Sequence, residues 1–309
     1  MNNNGGVARL ENTFSWSFSR SRTFTDCPKK YWYHYYGSWG GWDRDAPEQP
    51  RELYRLKNIT GLHLIAGDVV HRAIERILTG FARGSMPDAD QSLAWCKAEM
   101  QRSFVESRDD VARESPKRYT RLAEHEFGPI PNPETLKKIA QKVGTSMRNF
   151  YSSRSFSIIR ETDPDAWLPM ETLDSFDFEG TKVYAVPDFA VRHDGEVLIF
   201  DWKTGRSDPR NKDQVVLYAL FAAAKWGADP DHVQGAPVYL LDGGDFVPMP
   251  ATAADRDRVA SFMRESIAAM KQRLTDPEKN EAREEEFAAN PGGACRWCNF
   301  RGVCPDAQK

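Results

Sequence analysis

The chain has 309 residues, with 42 Lys and Arg against 45 Asp and Glu, for a formal net charge of −3. Hydrophobic residues make up 40% and charged residues 28%, an ordinary globular composition that supports one large core or two modest ones. No apolar run approaches the ~18 residues of a membrane-spanning helix, and no basic-then-apolar stretch marks a secretory signal, so no membrane partner is expected and the expected compartment is the cytoplasm.

Residues 1–13 read as a flexible tail, and 14–309 as a single domain. Its parts are an aromatic and basic segment (14–60), a mainly helical part (61–165), a sheet with a helix (166–245), and a C-terminal helix and cysteine segment (246–309). Residues 14–42 hold 11 of the 36 Phe, Trp and Tyr residues, interleaved with Arg20, Arg22, Lys29 and Lys30. Two readings coexist: an aromatic mini-core, and a surface on which nucleic-acid bases stack between cations. Val70, Ile74, Ile77, Leu78 and Phe81 recur at helical spacing and predict a helix over 62–81. A second is predicted over 133–150, opened by Pro133, with Leu136, Ile139, Val143, Met147 and Phe150 on its apolar stripe. Residues 84–132 between them read as charged helix and loop. Strands follow over 167–178, 182–192 and 196–203, then a helix over 213–226, a strand over 236–241 and a helix over 255–274 with Val259, Phe262, Met263, Ile267, Met270 and Leu274 inward. This order predicts an α/β or α+β fold with a helical cap.

The most informative stretch is AVPDFAVRHDGEVLIFDWKTGR. Asp194-Gly195 reads as a two-residue hairpin turn, because such turns need positive φ angles. The register that pairs His193 with Glu196 also sets Asp188 opposite Asp201, with Cβ atoms ~5 Å apart. Lys203 lies two residues beyond Asp201, on the same face, while Phe189, Val191, Leu198 and Phe200 face the core. Opposed like charges are destabilising unless neutralised. A divalent cation does this most simply, and oxygen donors suit Mg²⁺ or Mn²⁺. An adjacent ammonium can hold and polarise a water beside the ion, as phosphodiester hydrolysis requires. The plain alternative is a solvated strand face carrying Asp and Lys by chance. Two further pairs weigh against it. His71 and Glu75 sit four residues apart on one helix face, with Gly67 a turn earlier, and Gln214 and Tyr218 share a face of the helix after the lysine strand.

Together these residues resemble the PD-(D/E)XK nuclease superfamily, and within it the RecB-like branch. Pro187-Asp188 followed by Asp201-Trp202-Lys203 has the form of its signature; Gly67, His71 and Glu75 look like its upstream helix motif, and Gln214 and Tyr218 like its downstream one. The resemblance implies a restriction-endonuclease-like core, a small mixed sheet flanked by helices, with a helical insertion. It implies that His71, Asp188, Asp201 and the backbone carbonyl of Trp202 ligate Mg²⁺ or Mn²⁺, that Lys203 orients or activates the attacking water, and that Gln214 and Tyr218 position DNA. Residues 84–165 carry no recognised motif. Many relatives have Gly before the first acid where this chain has Val-Pro-Asp, which still fits the broader signature. Glu171, on the preceding strand, is left unassigned.

Five cysteines are present: Cys27, Cys96, Cys295, Cys298 and Cys304. An odd count in a reducing compartment fits metal binding or burial better than disulfides. One cysteine near the start and three near the end resemble the iron–sulfur nucleases of the same branch, among them the AddB nuclease domain and the CRISPR-associated RecB-type exonucleases. The resemblance implies a [4Fe-4S] cluster on Cys27, Cys295, Cys298 and Cys304 that staples the N- and C-terminal segments. Four thiolates suit such a cluster, and Zn²⁺ in a closed tetrahedral site is the chemical rival. Cys96 reads as buried packing. The implied function is a metal-dependent exonuclease on single-stranded or end-containing DNA, in repair, recombination, phage or defence processes. The alternatives are a noncatalytic DNA-binding or scaffold subunit of a helicase–nuclease or CRISPR-type complex, and an unrelated metalloprotein. No P-loop sequence occurs, so a helicase partner would be a separate polypeptide.

Overall fold

The computed structural model describes residues 10–169 and 174–308. In chain order the elements are β1 (Ser15–Trp16), α1 (Phe18–Asp26), α2 (Pro28–Trp32), α3 (Glu48–Lys57), α4 (Leu62–Ala82), α5 (Ala89–Arg108), α6 (Ala123–Phe127), α7 (Pro133–Ser152), α8 (Arg154–Glu161), β2 (Ser175–Phe178), β3 (Thr181–Tyr184), β4 (Phe189–His193), β5 (Glu196–Lys203), α9 (Asn211–Trp226), β6 (Val233–Tyr239), β7 (Met249–Pro250) and α10 (Ala253–Lys271). They fall into two compact units. One comprises the described residues of 1–57, 178–182 and 265–309, the other those of 58–177 and 183–264.

The second unit is built on a four-stranded mixed sheet in the order β4-β5-β6-β7. Asp194 and Gly195 take φ angles of 49° and 84°, the turn their identity predicts. The antiparallel register runs from His193↔Glu196 to Phe189↔Phe200. β5 is buried from Val197 to Trp202, as expected of a central strand covered on both faces. One face carries Phe189, Val191, Leu198, Phe200 and Trp202 into a core shared with α4 and α7. On α4 the buried positions Leu62, Ala66, Val69, Val70, Ala73, Ile74, Ile77 and Leu78 recur three and four apart. The Glu124 carboxylate accepts the Leu62 N–H at its first turn, where a negative charge also suits the helix dipole. Asn132 and Pro133 open α7 as cap and first residue.

β5 and β6 are parallel, from Val197↔Val233 to Lys203↔Tyr239, and α9 makes the crossover between them. Seven consecutive or near-consecutive α9 positions, including Val215, Tyr218 and Phe221, are buried, so this helix lies against the sheet. Gly235 of β6 permits the approach: a Cβ there would stand 2.6 Å from Val215 Cγ1. Gly235→Ala is therefore expected to cost about 1–3 kcal/mol by overpacking, read from denaturant unfolding. Adding Val215→Ala should restore part of the loss; a Gly235→Ala protein as stable as the parent contradicts this packing.

The sequence assignments need correction in four places, three strands and one helix. Only Ser175–Phe178 of the stretch 167–178 is strand; Trp167 makes a single bridge to Val191, and 170–173, with Glu171, lie outside the described residues. The stretch 182–192 is two strands, because Pro187 lacks the N–H a ladder needs and Asp188 is diverted to other bonds. β6 begins three residues earlier than expected. On α10, Val259, Met263, Ile267 and Met270 form the buried stripe, which Leu274 continues just past the helix end, whereas Phe262 is 41% exposed, one position off it.

In the first unit the aromatic segment is largely a mini-core. Trp16, Tyr31 and Tyr33 are buried, and Tyr31 packs on Phe24, Tyr35, Tyr36 and Phe287. Trp39 and Trp42 stay partly exposed, edge to face. His34 stacks on Tyr35, and its Nδ1 is buried without a hydrogen-bond partner among the described residues. Burial, then the Lys57 charge, lowers its pKa from 6.5 to about 4. The unfolded chain therefore takes up this proton between pH 6.5 and 4 while the folded one does not. The stability present above pH 6.5 should fall as pH drops through that window, by up to about 3 kcal/mol. Denaturant unfolding should show this slope in the parent and a flatter one in His34→Gln.

Candidate active site

Asp188 immediately precedes β4, off the ladder but at the register position opposite Asp201. Its Oδ2 accepts the Trp202 backbone N–H at 2.7 Å, and its Oδ1 accepts His71 Nδ1–H at 3.0 Å. That bond joins α4 to the mouth of the hairpin. Gly67, one turn before His71, lies where a Cβ would stand 3.1 Å from Thr204 Oγ1, so a small residue lets α4 approach the end of β5. Glu75 is exposed, and makes no hydrogen bond or ion pair among the described residues. It lines the same cleft as His71 and Asp188, of ≈ 570 Å³.

On the other face of β5 the polar side chains close into a ring. Lys203 Nζ donates to Gln214 Oε1 at 2.9 Å. Gln214 Nε2 donates to the Tyr218 hydroxyl at 2.6 Å, and that hydroxyl donates to Asp201 Oδ1 at 3.1 Å. The Lys203 ammonium completes the ring in an ion pair with Asp201 Oδ2. Buried Oδ2 has the Lys203 ammonium as its one partner among the described residues. Each bond in such a low-dielectric chain polarises the next.

The electrostatics follow from burial and opposed charge. Desolvation, then the Asp188 charge, raises the Asp201 pKa to about 6, against Lys203 and Tyr218, which hold it down. Tyr218 is raised well above 10 by burial, then by Asp201 and Asp188. Burial works against protonation of His71, but the hydrogen bond and charge of Asp188, with the charge of Asp201, outweigh it and raise its pKa above 6.5. Two acids that raise a pKa between them, beside an ammonium and an imidazole, are a hard donor set that suits a divalent cation. Among the described residues no three His, Cys, Asp or Glu side chains are spaced to hold an ion; the carboxylates are engaged with Lys203, Tyr218, His71 and the Trp202 N–H.

Within the first unit, Cys27, Cys295, Cys298 and Cys304 line one cavity with Lys30 and Arg301. The C-terminal segment runs beside the Cys27 turn: Lys29 N–H donates to Ala288 O, Asn290 N–H to Cys27 Sγ at 3.5 Å, and Asn290 Nδ2 to Asp26 O. Burial raises the Cys298 pKa, with smaller upward contributions from Cys27 and Cys304. The Gly292 N–H, then that of Gln308, lowers Cys295. Cys96 is 1% exposed on α5, a packing residue.

The structure thus brings His71, Asp188, Asp201, Trp202, Lys203, Gln214 and Tyr218 to one end of the hairpin, and the four cysteines to one cavity. Sequence reasoning missed Trp167 and Arg83, which line the cleft with His71 and Asp188. Arg83 lies twelve residues from His71, about a third of a turn off its face, so helical period gives no signal for it, and nothing local marks Trp167.

An α/β unit whose central hairpin ends in two acids and a lysine, flanked by helices, defines the restriction-endonuclease-like class. The chain belongs to the PD-(D/E)XK nuclease superfamily, whose family model matches residues 15–305. Nucleases of this superfamily typically use Mg²⁺ or Mn²⁺. No curated protein matches the chain. Among the described residues no helix is long and apolar enough to cross a membrane.

Proposed function

We propose that this protein is a Mg²⁺- or Mn²⁺-dependent DNA nuclease, an exonuclease acting on single strands or DNA ends. The observation that carries the reading is the buried Asp201 carboxylate, held between the Asp188 charge and the Lys203 ammonium. His71, Asp188, Asp201 and the Trp202 carbonyl would hold the ion, which supplies Lewis-acid stabilisation of charge on the phosphate. Lys203, held in place by Gln214 and Asp201, would hold the attacking water. Tyr218 fixes the Asp201 carboxylate. The repair, recombination, phage or defence setting, with a separate helicase or CRISPR-type partner, belongs to the same proposal.

The four cysteines are assigned to a [4Fe-4S] cluster, with Zn²⁺ as the rival. The support is an all-thiol donor set on one cavity, reached from both the Cys27 turn and the C-terminal segment. Such a group is structural and holds distant segments of chain together.

The test uses anaerobically purified protein with end-labelled linear and circular DNA, in Mg²⁺, in Mn²⁺ and in chelator. Metal-dependent shortening of linear DNA is expected, with circular DNA spared. Cleavage of circles at equal rate would replace the exonuclease reading by an endonuclease. DNA binding without cleavage in either metal would replace it by the noncatalytic scaffold.

A further inference from the structure

Tyr239 closes β6 as the register partner of Lys203, the last residue of β5. The two strands are parallel, so partnered side chains point to the same face of the sheet. That is the face from which α9 sends Gln214 and Tyr218 to Lys203 and Asp201. The pairing is pinned just beyond, where the Leu240 N–H donates to the Lys203 carbonyl at 2.9 Å. The Tyr239 hydroxyl accepts Asn211 Nδ2–H at 2.8 Å and, more weakly, the Asp208 N–H at 3.4 Å. Asn211 is the first residue of α9, and Arg210 before it supplies no side-chain cap. The connection 204–210 is exposed or half-buried, so little packing fixes where the helix begins. Burial raises the Tyr239 pKa, but bonds from Ser207, Asn211 and the Asp208 N–H, then the Lys203 charge, outweigh it and bring it below 10. The start of α9 is thus tied twice to neighbouring strand ends, through Asn211 to Tyr239 and through Gln214 to Lys203.

We propose that Tyr239 is a positioning residue for Lys203: by holding Asn211 it sets where α9 begins, and so where Gln214 meets the ammonium. The role rests on the nuclease reading above, in which Lys203 holds the attacking water. Gln214 lies three residues beyond Asn211, a rise of ~4.5 Å within one turn, so a displacement of the first residue is passed on to the Gln214 amide. A hydrogen bond weakens steeply once its geometry is lost, and a misplacement of about 1 Å at a reacting group can cost on the order of 10²-fold in rate. Tyr239 makes no hydrogen bond to His71, Asp188 or Asp201 among the described residues, so its path to the chemistry runs through α9.

Tyr239→Phe keeps the ring on the sheet and removes the acceptor. Single-turnover cleavage at saturating DNA is expected to slow roughly three- to tenfold, the weight of one neutral hydrogen bond. Affinity for a fluorescein-labelled oligothymidylate, read by anisotropy in chelator, should stay at the parental value. Asn211→Ala breaks the same bond from the other side and should give the same loss. In a Gln214→Ala protein Tyr239→Phe should cost nothing more, because the path is already cut. A tyrosine that only stabilises the fold would slow nothing, or its effect would multiply with that of Gln214→Ala; either result overturns the proposal. Weaker DNA binding with an unchanged saturating rate would make Tyr239 a substrate contact and would also overturn it. If Tyr239→Phe fails to fold, Asn211→Ala and its combination with Gln214→Ala decide. A second readout needs no activity. The N–H groups of Asn211, Lys212 and Asp213 bond back to Asp208, Pro209 and Arg210; Tyr239→Phe should speed their hydrogen exchange and leave β4 and β5 at the parental rate. Unchanged exchange there overturns the tie whatever the activity. The two proposals fail separately. A parent that cleaves nothing in Mg²⁺ or Mn²⁺ loses the nuclease reading while exchange still decides the tie. An active parent whose rate survives both Tyr239→Phe and Asn211→Ala loses only the positioning role.

Discussion

Lys203→Ala, Asp188→Ala and Asp201→Ala should each reduce cleavage of end-labelled DNA by at least ~10³-fold, on the scale of removing a central charge-stabilising group. The three need not act alike on stability. Asp201 is buried, and its pKa is raised to about 6 by burial, then by Asp188, so its charge is tolerated rather than favoured. Asp201→Asn keeps the shape and removes one of two opposed charges. It is expected to be inactive yet at least as stable as the parent, since opposed acids disfavour each other's ionisation. Lys203→Ala removes the ammonium that offsets both acids and is expected to be inactive and less stable. Gln214→Ala leaves the charges in place and loosens the ring through which Lys203 is held; its activity should fall less, by about tenfold. Single-turnover cleavage beside denaturant unfolding separates these outcomes. A Lys203→Ala protein with parental activity would remove Lys203 from the chemistry, and an Asp201→Asn protein that is both inactive and strongly destabilised would recast Asp201 as a structural acid.

Cys27→Ala should lose the bound iron, bleach the visible absorption and lower the unfolding temperature sharply. Cys27 lies far from the other three in sequence, and a group tying them together closes a very long loop. Closing a long loop removes unfolded-state entropy worth on the order of 4–5 kcal/mol in the cross-link model. The segments that carry these cysteines also meet through Tyr31 and Tyr36 on Phe287, Tyr33 on Phe300 and the Glu284 contacts of Lys29 and Tyr33, so the loss is expected to weaken the fold without unfolding it. Cys96→Ala is the control: it trims one buried thiol on α5, and should keep the full metal content. A colourless protein with stoichiometric zinc would keep the staple and change the metal. Full metal content and parental stability in Cys27→Ala would end the assignment of these cysteines to one centre.

Much of the site was legible because it is local. The hairpin register follows from two turn residues and the two-residue period of a strand, and it sets Asp188 across from Asp201. Helical period alone placed His71 with Glu75 and Gln214 with Tyr218. Glu75 shows the limit of that reasoning: it shares a helix face with His71 yet remains exposed in the cleft, engaged with nothing among the described residues. Phe262 shows it again, because a run of apolar residues on α10 does not reveal which stripe is covered.

By itself, the sequence determined the turn at Asp194-Gly195, the apolar stripes of α4 and α7, and the shared face of Asp201 and Lys203, all of which depend on residues within a few positions of one another. Only the tertiary structure decided that Tyr218 and Gln214 close a ring on Asp201 and Lys203, that Asp188 leaves its ladder for His71 and the Trp202 N–H, and that Trp167 walls the cleft. Those outcomes depend on which helix packs on which face of the sheet and on how closely Gly235 and Gly67 let the helices approach. Packing of that kind is a balance of many weak contacts between distant segments, and no local pattern encodes it.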